Sequence, residues 1–126
     1  MDENMLCTKN HEYILEKENN FEVGITEYGI QQLGDVVFIE LPERDTEFSK
    51  GEVFATLESV KSAAEFFMPI SGRVIDVNDE IANNPELLSD QSCENKWLIK
   101  IESEANQIEL VDLLDYFDYI EEFGIN

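Results

Sequence analysis

Positive charge is scarce in this chain. Lysine and arginine together number 8 against 29 aspartates and glutamates, a formal net charge of −21. Such a field repels phosphate backbones and anionic headgroups, which argues against nucleic-acid binding and against docking on membranes. It favours solubility and can steer the chain towards basic patches on larger partners. Histidine is scarcer still. His11 is the only one, so a Ser-His-Asp or Cys-His arrangement would have to use it, and no partner for it stands out. Two cysteines, Cys7 and Cys93, are too few for a disulfide framework and read as free thiols. Cys7 and His11 could reach one metal, but zinc wants further nitrogen or sulfur ligands and none is near, so no metal is expected. A Gly-rich phosphate loop is missing. No apolar run approaches the roughly 20 residues that cross a bilayer. The opening MDENMLCTKN is acidic and has no leader-like apolar stretch. A cytoplasmic location is expected, or a mitochondrial matrix one after processing in a eukaryote.

What remains is enough for a core. Hydrophobic residues make up 43% of 126, which suits one domain over residues 1–126. Tyr13–Lys17 and Phe21–Ile25 read as short strands joined by a turn at Glu18–Asn20. Thr26 can cap a short helix, Glu27–Leu33, which Gly34 can close. Asp35–Leu41 is β-branched and aromatic and predicts a well-buried strand ended by Pro42. Glu52–Leu57 and Glu65–Met68 predict two more strands. Arg73–Val77 alternates as a half-buried strand should. Asn78–Asn84 reads as a polar loop and Pro85–Leu88 as a helical turn. Trp97–Ile101 reads as the last strand. From about 107 to 123, apolar residues recur at helical spacing (Ile108, Val111, Leu114 or Leu113, Phe117, Ile120), predicting an amphipathic C-terminal helix with room for one break. Two strand–turn–strand segments, before and after Lys61, match weakly as a pseudo-repeat. Many short strands between turn residues point to a small barrel or sandwich.

No constellation for catalysis emerges, and 29 acids are too many for any carboxylate pair to be informative. Lys61 stands apart. It is the only basic residue between Lys50 and Arg73, inside LESVKSA (Leu57 to Ala63). The strands on either side place it at a hairpin tip. A nucleophilic lysine needs burial or a cationic neighbour, whereas Glu58 and Glu65 would hold this one protonated. Small neighbours, Ser59, Ser62, Ala63 and Ala64, leave room around the amine. That setting suits acylation from outside, which removes the charge and lengthens the side chain. An ordinary solvated surface lysine is the bland alternative.

LESVKSA followed by MPISGRVIDVND (Met68 to Asp79) resembles the lipoyl-lysine region of the glycine cleavage system H proteins. KNHEY, VGITEYGIQQLGDVVFIELPE, NNPELLSD and WLIKI follow the family's blocks in order. The resemblance implies a mainly β fold with helices, a lipoyl-type barrel-sandwich hybrid with a C-terminal amphipathic helix. It implies a non-catalytic carrier with lipoic acid in amide linkage to Lys61. It also implies partners: a pyridoxal-phosphate glycine decarboxylase (P protein), an aminomethyltransferase (T protein), a dihydrolipoamide dehydrogenase (L protein), and a lipoate–protein ligase or octanoyltransferase that attaches the arm. A monomer is expected. Glu12, Glu65 and His11 stand at positions that would line the cleft into which the family's loaded arm folds. Departures touch the pattern at Tyr13, where tryptophan is frequent, at Asn10, where small hydroxyl or other polar residues are common, at Glu65, a longer acid than the aspartate the family implies, and at Asp90–Lys96, in place of a Pro-Tyr-Gly-like turn. The alternative within the same chemistry is a relay that donates lipoyl groups to 2-oxoacid dehydrogenase complexes. A biotin carrier would flank its lysine with methionines, and Val60 and Ser62 stand there instead.

Overall fold

The computed structural model describes residues 5–93, 95–104 and 107–125. Two antiparallel sheets face each other across one core. The larger takes strands β1 (Met5–Cys7), β2 (Glu12–Glu16), β3 (Phe21–Ile25), β5 (Glu47–Phe48), β8 (Gly72–Val77), β9 (Ile99–Glu102) and β10 (Leu114–Asp115). Its order is β10-β1-β2-β3-β9-β8-β5. The smaller holds β4 (Val36–Glu40), β6 (Val53–Ser59) and β7 (Ala63–Phe67), in the order β4-β6-β7. Alternation supplies the core: Ile14, Val23, Ile99 and Ile101 from one sheet meet Ile39, Leu57 and Phe66 from the other. Across the β2–β3 pair, Tyr13 faces Gly24, and a Cβ on that glycine would strike the Tyr13 ring at 2.7 Å. The tyrosine therefore lies flat over its partner strand.

Helix α1 (Glu27–Leu33) forms as its caps dictate. The Thr26 side chain accepts from the Gly29 amide, and the Gly34 amide bonds back to Ile30. Ile30 and Leu33 turn inward.

Three expectations need correction. Asp35–Leu41 is not well buried throughout. The register shifts between Val36 and Phe38, and this bulge leaves Val37 57% and Phe38 50% exposed. The polar stretch after Val77 contains a short helix, α2 (Asp79–Asn83), because Asn78 caps it by accepting from the Ile81 amide. Asn78 also donates to the carbonyls of Asn95 and Trp97, tying the helix to the approach to β9. A 3₁₀ turn, Pro85–Ser89, follows. WLIKI is not the last strand, since β10 pairs with β1 through Cys7 and Leu114.

That pairing also divides the expected C-terminal helix. Helix α3 (Gln107–Leu110) is one turn long, and α4 (Tyr116–Phe123) starts only after β10, capped by the Asp115 carboxylate on the Asp118 amide. The late start rotates the inward face. Tyr119 is buried, whereas Val111 and Phe117 are 80% and 71% exposed. The side chain of Ile108 lies outside the described residues.

Candidate functional site at the Lys61 hairpin

The β6–β7 hairpin is closed by a turn in which only Val60 and Lys61 lie between the bonded pair. The Ser59 amide donates to the Ser62 carbonyl at 2.7 Å. Neither loop residue has a positive φ, so the primed turns usual in two-residue hairpins are not used. The Ser59 side chain stabilises the turn instead. Its Oγ accepts from the Ser62 amide at 3.1 Å and the Lys61 amide at 3.3 Å. The hydroxyl also lies within donating distance of the Ser62 carbonyl. A second tie runs from the Val60 amide to the Asp35 carbonyl at 3.1 Å, fastening the tip to the segment between α1 and β4.

Lys61 emerges from this turn exposed. Its amine has no ion pair among the described residues. Its methylenes lie back over Gly34, where a Cβ would sit 3.3 Å from Lys61 Cε. Beyond Gly34 opens a cavity of about 150 Å³ lined by Ile30, Gln31, Leu88 and Lys96, among others. A larger cavity of about 820 Å³ lies at the far end of β6, where Glu52, Arg73, Glu102 and Glu109 line it. β6 alone spans roughly 20 Å, so that space is remote from Lys61 despite its size.

The three other candidate residues are placed very differently. Glu12 is 2% exposed, and its carboxylate accepts from the Thr8 hydroxyl at 2.5 Å, the Asn10 amide group at 2.7 Å and the Phe67 backbone amide at 2.8 Å. It binds the β1–β2 turn to β7 from inside. Asn10, which departs from the family pattern, is one of its donors. Glu65 is exposed on the outer face of β7, opposite Thr56. His11 is half-buried with φ +73°. Its Nδ1 lies 2.7 Å from the Tyr119 hydroxyl, which lies 2.8 Å from Thr26 Oγ. Tyr28, Tyr119 and Phe123 surround the imidazole edge-on. Burial among these rings holds the imidazole below its ordinary pKa, with Glu12 opposing the shift. The structure thus ties Glu12 to the Phe67 end of the hairpin and packs His11 against α1 and α4, while Glu65 and Lys61 face solvent. Gly34 and the side-chain bonding of Ser59 were missed from the sequence. A serine two and three residues before the amides it caps was the available signal.

Cys7 is buried and unpaired, and Cys93 is half-buried and unpaired. Burial and Asp115 push the Cys7 thiol up to about 12, so it stays protonated and inert at neutral pH. No group of three or more potential metal ligands gathers among the described residues. No helix among them is long and apolar enough to cross a membrane.

The family model described as glycine cleavage H-protein matches residues 5–123. The chain belongs to the glycine cleavage H-protein family. A glycine cleavage system H protein of Halothermothrix orenii is 43% identical over 123 residues, covering 95% of each chain. One from Staphylococcus epidermidis is 42% identical over 118 residues, 93% of this chain and 92% of the other. The crystal structure of a glycine cleavage system H protein from Mycobacterium marinum superimposes with a TM-score of 0.87 at 27% identity, covering 98% of this chain and 99% of that one. The two facing sheets are accordingly the lipoyl-type barrel-sandwich fold of the H proteins. H proteins are the lipoyl carriers of the glycine cleavage system, non-catalytic components with lipoic acid attached covalently to a lysine.

Proposed function

We propose that Lys61 is the lysine that bears the lipoyl group, and that the chain then carries the aminomethyl group of glycine between the decarboxylase, the aminomethyltransferase and the dihydrolipoamide dehydrogenase of the system. The observation that carries this reading is the presentation of Lys61. It stands at a two-residue tip, exposed, unpaired among the described residues and flanked by small side chains. These residues fit the group, because amide formation needs an amine that an enzyme can surround and nothing here obstructs one. When bound, lipoic acid supplies a disulfide–dithiol pair on a long tether, and tethering keeps cargo at high effective concentration for each partner.

The chain's own residues do the presenting. Ser59 fixes the turn, Asp35 anchors the tip, and Gly34 leaves space beneath the lysine methylenes. Glu12, with its three donors, holds β7 against β2 and so keeps the hairpin rigid. We infer that this bracing is its first duty.

The test is intact mass with peptide mapping after incubation with lipoate, ATP and a lipoate–protein ligase. A lipoyl increment confined to Lys61 is expected. The Lys61→Arg variant should take up none and keep the wild-type melting temperature within about a degree, since a solvent-facing tip side chain adds little to stability. An increment at another lysine would overturn the assignment.

A further inference from the structure

The outer face of the three-stranded sheet carries an apolar patch beside Lys61. Because of the bulge in β4, two consecutive apolar residues, Val37 and Phe38, face solvent at 57% and 50% exposure. Phe38 is paired with Glu58, and Glu58 with Ala63, so all three share the outer face. Val60, tied to Asp35 at the head of β4, is 72% exposed. Exposed glutamates Glu40, Glu58 and Glu65 edge the patch, with Asp35 at the tip. None of the three strands contains a lysine or arginine. An apolar centre with a one-signed rim, next to the residue to be modified, has the composition of a recognition surface.

We propose that Val37, Phe38 and Val60, with the glutamates around them, form the docking footprint of the enzyme that attaches the acyl group to Lys61, an enzyme whose active-site mouth presents apolar side chains ringed by lysine or arginine. This inference rests on the assignment of Lys61 above. Reach selects the occupant. In the attachment step the lysine ammonium first gives up a proton, the free amine attacks an activated acyl carbonyl, the C–N bond forms, the bond to the activating group breaks and that group leaves, and the nitrogen releases a second proton to solvent, keeping one hydrogen as the amide N–H. That enzyme must bring its active site within one side chain's length of the tip, and so must cover the tip's surroundings. Enzymes that act on the far end of the finished arm have its whole length between them and this sheet. The rim sets the charge expected of that partner, because three glutamates with no cation within the strands favour lysine or arginine opposite them.

The experiment measures kcat/KM for lipoylation by a purified lipoate–protein ligase with ATP and lipoate. The carriers are the wild type, Phe38→Ser/Val60→Ser, Glu40→Lys, and Val111→Ser as an exposed apolar control on another segment. The double variant should lose about tenfold or more, as removal of a central apolar anchor does. Glu40→Lys should lose several-fold at low salt and recover towards wild type at high salt. Val111→Ser should match the wild type. Carriers lipoylated to completion should all be reduced by dihydrolipoamide dehydrogenase with NADH at the same rate, because that enzyme works at the far end of the arm. If the wild type is modified at Lys61 and the double variant is modified equally fast, the docking surface is overturned and the Lys61 assignment stands. If the wild type is not modified at Lys61, both fall. Should Phe38→Ser alter the melting temperature, Val60→Ser alone decides, because its side chain lies outside the core.

Discussion

Gly34 lies beneath the Lys61 side chain, and its backbone, at φ +84° and ψ −149°, occupies a region that is essentially glycine-only. Two requirements meet at this one residue. It closes α1 by donating its backbone N–H to the Ile30 carbonyl, and it keeps the floor under the lysine bare. Gly34→Ala should therefore lower stability by about 1–3 kcal/mol, the range for strained backbone of this kind. Chemical denaturation would measure it. The added methyl meets only the flexible end of a lysine, so the loss should trace to the backbone and persist in a Lys61→Ala background. Ser59 illustrates the same economy at the tip, where one hydroxyl replaces the positive φ that hairpin loops of this length ordinarily use.

Between elements, the decisive joint is the one that seats α4. Thr26 caps α1 and simultaneously contacts Tyr119, which contacts His11. With the imidazole neutral, Thr26 can donate to Tyr119 and Tyr119 to Nδ1, so every group in the chain is satisfied. Thr26→Ala removes the cap and one of the two partners of the Tyr119 hydroxyl, on a residue 1% exposed, leaving it only His11 among the described residues. A loss of about 2 kcal/mol or more is expected from the two effects together, and Thr26→Ser should restore most of it. Thermal melts of the three proteins would show whether the hydroxyl, rather than the methyl, carries the joint.

Across the whole molecule, acidification acts through groups whose pKa values the fold lowers. The His11 pKa is lowered from 6.5 by burial, against the influence of Glu12. Its neutral form belongs to the fold, and its contribution is lost as pH falls from about 6.5 through the folded value. The carboxyls of Glu109 and Asp112 are held below their ordinary values, 4.5 and 3.8. For Glu109 the main cause is bonding from the Ser71 amide and hydroxyl, and for Asp112 it is bonding from Lys50. Their contributions are present above those values and are lost below them. The melting temperature should therefore fall in two stages on acidification, one beginning near pH 6.5 and one near pH 4.5. His11→Asn should abolish the first stage alone. Asparagine tolerates the positive φ of position 11, so the backbone is preserved. A single-stage fall in the wild type would remove His11 from this role.

Much was legible in the sequence because its causes are local. Apolar–polar alternation marked Arg73–Val77 as a strand, the turn at Glu18–Asn20 separated β2 from β3, and Thr26 with Gly34 bounded α1 at Glu27–Leu33. The order of motif blocks indicated the family, and the residues between two strands placed Lys61 at a tip. What the sequence could not decide depended on partners distant in the chain. Leu114 and Asp115 look helical by spacing, yet β1 offers them a sheet edge, and pairing with Leu6 and Cys7 splits the helix. Val37 and Phe38 look like core, and a bulge against β6 turns both outward. Glu12 looks like one surface acid among many, until three donors from two elements close around it. Local propensity and pattern determined β2, β3, α1, β4 and the hairpin on which Lys61 stands. Long-range pairing, which composition and period do not encode, decided which side chains are exposed beside Lys61 and which are used up in holding it there.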